Sequence, residues 1–172
     1  RDFRALVETC TEPQRYAFYA LFAQSHAPLV QTRFDLKSEY IEAYQSDQMI
    51  TFPRAVPMVI LSHIVCGYEA WLNRKYALPG FVEVETGDVV VDCGAYVGGF
   101  SLSAARIAKH VHVFEPERQN FCCVERNLMD RFNATLNSAG LYSETKVMPL
   151  NISDSGVEHS ILDTDDGVVI GT

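Results

Sequence analysis

The sequence predicts an α/β fold built on a parallel β-sheet, and two features support this prediction. From residue 81 onward, short apolar runs alternate with stretches of helical composition. Alternation of this kind is typical of βαβ units, whose strands lie parallel and whose crossovers are right-handed. A glycine-rich turn also joins the first of these runs to the helix that follows it. The length of 172 residues suits a single domain.

The elements after residue 81 are predicted in order along the chain. Residues 89–91 form a β-branched run typical of a strand buried on both faces, and residues 100–109 form a helix. Residues 111–114 form the second strand, and residues 116–131 form the second helix with Pro116 in its first turn. Residues 146–150 form the third strand. The acidic segment after residue 150 is predicted as a solvated loop with at most one hairpin.

The first eighty residues are predicted to be helical. Apolar residues at three-to-four spacing predict helices over residues 12–25 and 35–47, and a further helix or helix pair runs to Tyr76 after Pro57. The aromatic residues of this region are interpreted as core. The chain is therefore divided into a helical N-terminal extension, residues 1–80, and a sheet domain, residues 81–172.

Composition excludes several classes of function. Fourteen basic residues against twenty-two acidic residues give a net charge of −8, which disfavours nucleic-acid binding. The longest apolar run, residues 56–66, is shorter than the roughly 20 residues that span a bilayer, and no leader peptide is recognised. Five cysteines without a CxxC pair favour free thiols, no metal site and a cytoplasmic location.

The candidate ligand site lies where the first strand enters the glycine-rich turn. Asp92 ends that strand, Gly94 and Gly98 follow it, and Glu115 ends the second strand. Ligands of open α/β sheets bind at the carboxyl ends of adjacent strands, where an acidic side chain accepts hydrogen bonds from a ribose. The turn does not match the dinucleotide pattern GxGxxG. A carboxylate at Asp92 would repel a pyrophosphate by about 4 kcal/mol at 4 Å, so a cationic adenosyl ligand is favoured.

The same residues carry a resemblance to a known family. Residues 87–98 read GDVVVDCGAYVG, residues 113–116 read VFEP, and Asn127 follows. This pattern resembles the FkbM family of S-adenosylmethionine-dependent methyltransferases, over about residues 81–156. Tyr96 departs from the family, which usually has Asn at this position.

The resemblance implies a Rossmann-like class I methyltransferase sheet that binds S-adenosylmethionine and methylates a hydroxyl oxygen of a sugar or small natural product. The residues that it implies for cofactor binding are Asp92, Gly94, Ala95, Tyr96, Gly98, Glu115, Pro116, Asn151 and Ile152. Among them, Glu115 would bind the ribose hydroxyls, and Asn151 and Ile152 would approach the adenine. No catalytic base is assigned, because in the family it would lie beyond residue 172.

The sheet is expected to be incomplete, with strands 1–3 only. Family members continue with further strands on the other side of strand 1, so that edge is expected to be covered by a missing C-terminal half or by a second copy in a homo-oligomer, and the former is favoured. The isolated chain is therefore expected to transfer no methyl group by itself. Two alternative functions stay open, a non-catalytic interaction module that retains half of the fold and a nicotinamide-dependent oxidoreductase domain.

Overall fold

The computed structural model describes residues 9–26, 31–46, 48–151 and 167–170, and these residues form a mixed α/β fold with three small β-sheets. The helices are α1 (Glu12–His26), α2 (Met58–Val65), α3 (Tyr68–Tyr76), α4 (Gly99–Ala104) and α5 (Arg118–Leu128). The strands are β1 (Thr32–Leu36), β2 (Tyr40–Gln45), β3 (Gln48–Pro53), β4 (Val89–Cys93), β5 (His110–Phe114), β6 (Ala134–Asn137), β7 (Met148–Asn151) and β8 (Gly167–Ile170).

The helix predicted over residues 35–47 is wrong, because this segment belongs to an antiparallel sheet of β1, β2 and β3. In β2 the buried side chains alternate, with Ile41 and Ala43 in the core and their neighbours outside it. The spacing of Tyr40 and Tyr44 contributed to the prediction of a helix, but neither ring lies in the core. The Tyr40 ring lies 4.2 Å from the guanidinium of Arg126, and the Tyr44 ring lies 4.0 Å from that of Arg33.

The other predicted N-terminal helices are confirmed. The first becomes α1, and the region up to Tyr76 becomes the pair α2 and α3, separated by Gly67. Pro57 is the residue before α2 and not part of its first turn. The helical N-terminal extension is therefore corrected to a helix, a three-stranded sheet and a helix pair. The predicted division between residues 80 and 81 stays a prediction.

A parallel sheet of β4, β5 and β6 follows, in that order. The predicted strands at residues 89–91 and 111–114 correspond to β4 and β5, with α4 and α5 as the connecting helices. The α4 helix ends at Ala104, earlier than predicted, and turns lead from there to β5. Because the first two strands are parallel, Asp92 and Glu115 lie at the same end of the sheet, where both strands have their carboxyl ends.

The third parallel strand is not residues 146–150, as predicted, but β6. The sequence of β6, Ala-Thr-Leu-Asn, contains one large apolar residue and is only partly buried, so its hydrophobic signal is weak. The apolar residues around Leu150 instead form β7, which pairs antiparallel with β8. Residues 167–170 thus pair with β7, and the rest of the acidic segment predicted as a solvated loop, residues 152–166 and 171–172, lies outside the described residues.

The β4 strand lies at the edge of the parallel sheet, and its one partner among the described residues is β5. Val89 and Val91 are 58% and 52% exposed, so the prediction of burial on both faces is wrong for the described chain. A parallel strand with exposed valines and an unpaired edge is unusual, because parallel sheets are normally covered on both faces.

One core cluster joins the antiparallel and parallel sheets. Ile41 and Phe52 of the first sheet belong to the same buried cluster as Val111 and Val113 of the second. The side chain of Asn127 on α5 also connects them. Its Oδ1 accepts a hydrogen bond from Thr51 N at 2.7 Å, and its Nδ2 donates to Thr51 O at 2.9 Å and to Val97 O at 2.8 Å.

Among the described helices, none is both long enough and apolar enough to cross a membrane.

Candidate functional site

The turn between β4 and α4 is held in an uncommon backbone conformation. Gly94, Tyr96 and Gly98 have φ angles of 77°, 55° and 75°, in the left-handed region that favours glycine. A Cβ added at Gly94 would meet no atom within 4 Å, so the backbone there faces open space. The turn can therefore present its backbone directly to a ligand. We call residues 94–98 the glycine loop.

Asp92 lies half-buried at the end of β4, just before the glycine loop. The Ser101 hydroxyl of α4 donates a hydrogen bond to Asp92 Oδ2 at 2.5 Å. Burial raises the pKa of Asp92, and the hydrogen bonds from Ser101 oppose this rise. A nearby positive charge would stabilise the ionised form of such a carboxyl. Ser101, which is fully buried, was not among the predicted site residues.

Glu115 directly follows β5, and its side chain connects the end of this strand to the glycine loop. Its carboxylate accepts a hydrogen bond from Tyr96 N at 2.8 Å on Oε2 and one from Glu117 N at 2.9 Å on Oε1. Glu115 is only 3% exposed. Burial raises its pKa to about 7, while the hydrogen bonds from the Glu117 and Tyr96 amides act in the opposite direction. The structure thus places Glu115 against the glycine loop, and its assignment to the ribose hydroxyls stays a prediction.

Gly99 permits the close approach of α4 to α3. A Cβ at this position would lie 2.5 Å from Tyr68 Cε1 and 2.8 Å from Leu72 Cδ1. Any larger residue would push the two helices apart. Nothing in the sequence marks this role of Gly99, because the neighbouring helix cannot be located from the sequence.

The remaining predicted site residues lie in different places. Ala95 is buried within the glycine loop, and Pro116 lies between β5 and α5, where Glu117 is the N-cap and accepts a hydrogen bond from Asn120 N. Asn151 ends β7, which does not belong to the parallel sheet, so the premise that it follows the third parallel strand is wrong. Ile152 lies outside the described residues.

A cavity of about 250 Å³ opens between the glycine loop and the helix pair α2–α3. Asp92 and Gly94 line it from the sheet side, and His63, Trp71 and Lys75 line it from the helices. The His63 and Trp71 rings are stacked, with centroids 4.1 Å apart and planes at 12°. These three helix residues were interpreted only as part of a helical region. Their sequence spacing carried no signal for a ligand, because the cavity arises from the packing of α3 on α4.

A second cavity of about 370 Å³ lies beside α4 and is also bordered by α3. Its charged residues include Glu69 and Arg106, whose side chains form an ion pair at 2.6 Å. Ser103 Oγ also donates to Glu69 Oε1 at 3.1 Å. These polar groups satisfy one another, and neither Asp92 nor the glycine loop reaches this cavity. The smaller cavity is therefore the better candidate site.

Comparisons with known proteins give limited similarity. No protein-family model matches the sequence, and no curated protein matches it. Among solved structures, methyltransferase FkbM from Methylobacillus flagellatus KT is 19% identical with a TM-score of 0.35, over 52% of this chain and 28% of that one. Trm5b from Pyrococcus abyssi is 15% identical with a TM-score of 0.38, over 62% of this chain and 34% of that one.

A thioredoxin reductase from Gloeobacter violaceus is also similar, at 15% identity and a TM-score of 0.27, over 82% of this chain and 46% of that one. The chain thus spans less than half the length of each of these structures. The methyltransferase FkbM structure belongs to the family that the sequence motifs resemble. With TM-scores below 0.5, these similarities carry no functional weight by themselves.

Proposed function

We propose that this chain binds S-adenosylmethionine at the carboxyl ends of β4 and β5 and belongs to a Rossmann-like methyltransferase. The observation that carries the proposal is the placement of Asp92 and Glu115 on either side of the glycine loop. Two carboxylates at the ends of adjacent parallel strands suit a ligand with cationic groups and ribose hydroxyls. They do not suit the pyrophosphate of a dinucleotide.

The residues of the site fit the cofactor. An ionised carboxylate has about four lone-pair positions on its two oxygens. The amides of Tyr96 and Glu117 use one position on each oxygen of Glu115. The Asn120 side chain also hydrogen-bonds this carboxylate. One position is thus left for a ribose hydroxyl, without loss of the contact to the loop. Gly94, which faces open space, allows the ligand to lie against the backbone.

The cofactor supplies an electrophilic methyl group on a sulfonium. The role of the chain is to orient it and to exclude water, since methyl transfer depends on positioning and desolvation more than on covalent catalysis. Asp92 would favour the positive charge of the ligand, and Glu115 would fix the ribose. The proposed acceptor is a hydroxyl oxygen of a sugar or other small natural product, and the proposed location is the cytoplasm.

Calorimetric titration with S-adenosylmethionine tests this function. We expect the wild-type chain to bind it and Glu115→Ala to weaken binding by at least about tenfold, because each lost charge-assisted hydrogen bond costs about 1.5–3 kcal/mol. Glu125→Ala, which removes an exposed carboxylate from α5, is the matched control and should bind normally. Binding of a nicotinamide dinucleotide in place of S-adenosylmethionine would contradict the proposal.

A further inference from the structure

The helix side of the candidate cavity carries a cation that forms no ion pair within the described residues. Lys75 lies on α3 and lines the same cavity as Asp92. Within the described part of the chain, no carboxylate lies within 4 Å of its ammonium group. Asp92 likewise has no cationic partner there at this distance. The cavity therefore has one acidic and one basic group, on different elements, that do not neutralise each other.

Two aromatic rings hold the Lys75 ammonium at the cavity. Its Nζ lies 5.3 Å from the ring centroid of Trp71 and 4.9 Å from that of Tyr76, within the range of cation–π attraction. Both rings also line the cavity. This arrangement restricts a long, flexible side chain before any ligand arrives, which lowers the entropy cost of a later contact.

Lys75 is also the main positive charge on this wall. The other basic side chain in the lining of this cavity is His63, whose ring is stacked on Trp71. Burial, and after it the charge of Lys75, lowers the pKa of His63. Its imidazole is therefore neutral near pH 7, and an anionic group that enters from this side meets the ammonium of Lys75.

We propose that Lys75 binds the α-carboxylate of the ligand's amino-acid moiety, while Asp92 binds its α-ammonium group. The cavity is thus complementary to an α-amino-acid zwitterion, with an acidic group on the sheet and a basic group on the helix pair. The α2–α3 pair becomes a wall of the ligand site and not only a support for the sheet. This inference rests on the proposed function, because it assigns the helix residues that recognise one end of S-adenosylmethionine.

The test compares two ligands that differ by one group. Decarboxylated S-adenosylmethionine keeps the adenosine, the sulfonium and the ammonium group but lacks the carboxylate. Calorimetric titrations with both ligands are made on the wild-type chain and on Lys75→Gln, Lys75→Arg and Lys109→Gln. Lys109 is exposed and directly precedes β5, at the end of the strand opposite to Glu115. It serves as the matched control.

We expect Lys75→Gln to weaken binding of S-adenosylmethionine about tenfold, equivalent to about 1.4 kcal/mol. Binding of the decarboxylated ligand should change by less than about twofold, as for the loss of an exposed charge without a partner. Lys75→Arg should keep most of the affinity, and Lys109→Gln should keep all of it. The loss in Lys75→Gln should also shrink at high ionic strength, because salt screens an exposed charge pair.

Two results would overturn the assignment of Lys75 while leaving the proposed function intact. The first is a Lys75→Gln variant that binds both ligands as the wild type does. The second is an equal loss for both ligands, which would show that Lys75 supports the shape of the cavity and does not contact the carboxylate. A wild-type chain that binds neither ligand would contradict the proposed function itself, and with it this assignment.

Discussion

At the scale of single residues, the Glu115 carboxyl makes the stability of the fold depend on pH. Its pKa is about 7 in the folded chain against an ordinary value of 4.5, because the group is buried. Between these pH values the folded state binds more protons than the unfolded state. The free energy of unfolding must therefore fall as the pH rises from about 4.5 to about 7. Burial raises the pKa of Asp92 as well, which adds to the same trend.

Glu115→Gln should remove most of this pH dependence. The shift in pKa corresponds to about 3 kcal/mol at most. The free energy of unfolding of the wild-type chain should therefore fall by up to that amount between pH 4.5 and about 7, and that of the variant by much less. Urea denaturation at pH 4.5 and at pH 7 measures both values. Glu125→Gln serves as the control and should keep the wild-type slope. A wild-type stability that rises between these pH values would contradict the placement of Glu115 in a buried environment.

Tyr96 has a buried hydroxyl that makes no hydrogen bond within the described residues. An unsatisfied buried polar group costs about 1–3 kcal/mol. We therefore predict that Tyr96→Phe leaves the free energy of unfolding unchanged or raises it by about 1 kcal/mol. Tyr16→Phe is the comparison, because the Tyr16 hydroxyl donates to Arg54 O at 3.1 Å. Removal of that bond should cost about 1 kcal/mol. A larger loss in Tyr96→Phe than in Tyr16→Phe would show that the Tyr96 hydroxyl has a partner.

The residues at the ends of the parallel strands could be predicted from the sequence, and those across the cavity could not. Asp92, Gly94 and Glu115 follow from local chemistry, because a strand, a turn and a second strand fix their relative places. Trp71 and Lys75 reach the site only because α3 packs on α4. That contact depends on Gly99, whose missing side chain leaves room for Tyr68. The sequence shows that residue 99 is a glycine, but it does not show which helix packs against it.

At the scale of elements, α5 and β3 are joined through one side chain. Asn127 hydrogen-bonds both the N–H and the C=O of Thr51, as a neighbouring strand would, and it also binds Val97 O in the glycine loop. The side chain thus covers part of the β3 edge and fixes the loop against it. Thr51 is almost fully buried, so its backbone groups have little access to water as an alternative partner.

We predict that Asn127→Ala lowers the free energy of unfolding by about 2–4 kcal/mol, because it leaves several buried backbone groups without partners. Asn127→Asp should be similarly unfavourable, since a carboxylate cannot donate to the Thr51 and Val97 carbonyls. Asn73→Ala, at an exposed position of α3, should change stability by less than about 0.5 kcal/mol. Chemical denaturation measures all three. A change of less than about 1 kcal/mol in Asn127→Ala would contradict the bridging role.

Two elements were assigned incorrectly from the sequence, each for a physical reason. In β2, Tyr40 and Tyr44 imitate the spacing of a helix face, but their rings pack against arginine side chains outside the core. The β6 strand is short and only partly buried. Its position in the sheet therefore depends on pairing with β5 and not on its own hydrophobicity. Long-range pairing overrides local preference in both cases.

At the scale of the whole molecule, the exposed β4 edge is the feature that most affects behaviour in solution. Val89 and Val91 are both more than half exposed on a strand whose outer edge has no partner within the described chain. Unpaired strand edges with apolar side chains promote association. We expect the chain of residues 1–172 to self-associate through this edge when it is produced by itself.

Val91→Lys should shift this chain toward the monomer, because a charge on an edge strand opposes edge-to-edge pairing. Sedimentation velocity over a range of concentrations measures the change. Val147→Lys is the matched control, since Val147 is 60% exposed but lies next to β7, away from the parallel sheet. A wild-type chain that stays monomeric at all concentrations would contradict the expected association, as would equal effects of the two substitutions.

The central claim is that S-adenosylmethionine binds at the glycine loop between β4 and β5, and backbone amide chemical shifts of the labelled chain test it most directly. On titration with S-adenosylmethionine, we predict saturable shifts at Gly94, Gly98 and Glu115, with little change along the antiparallel sheet of β1–β3. Gly94→Val should abolish them, because its backbone requires a positive φ and its open side is the proposed ligand surface. An absence of shifts in the wild-type chain, or shifts confined to residues outside the glycine loop and the cavity beside it, would contradict the claim.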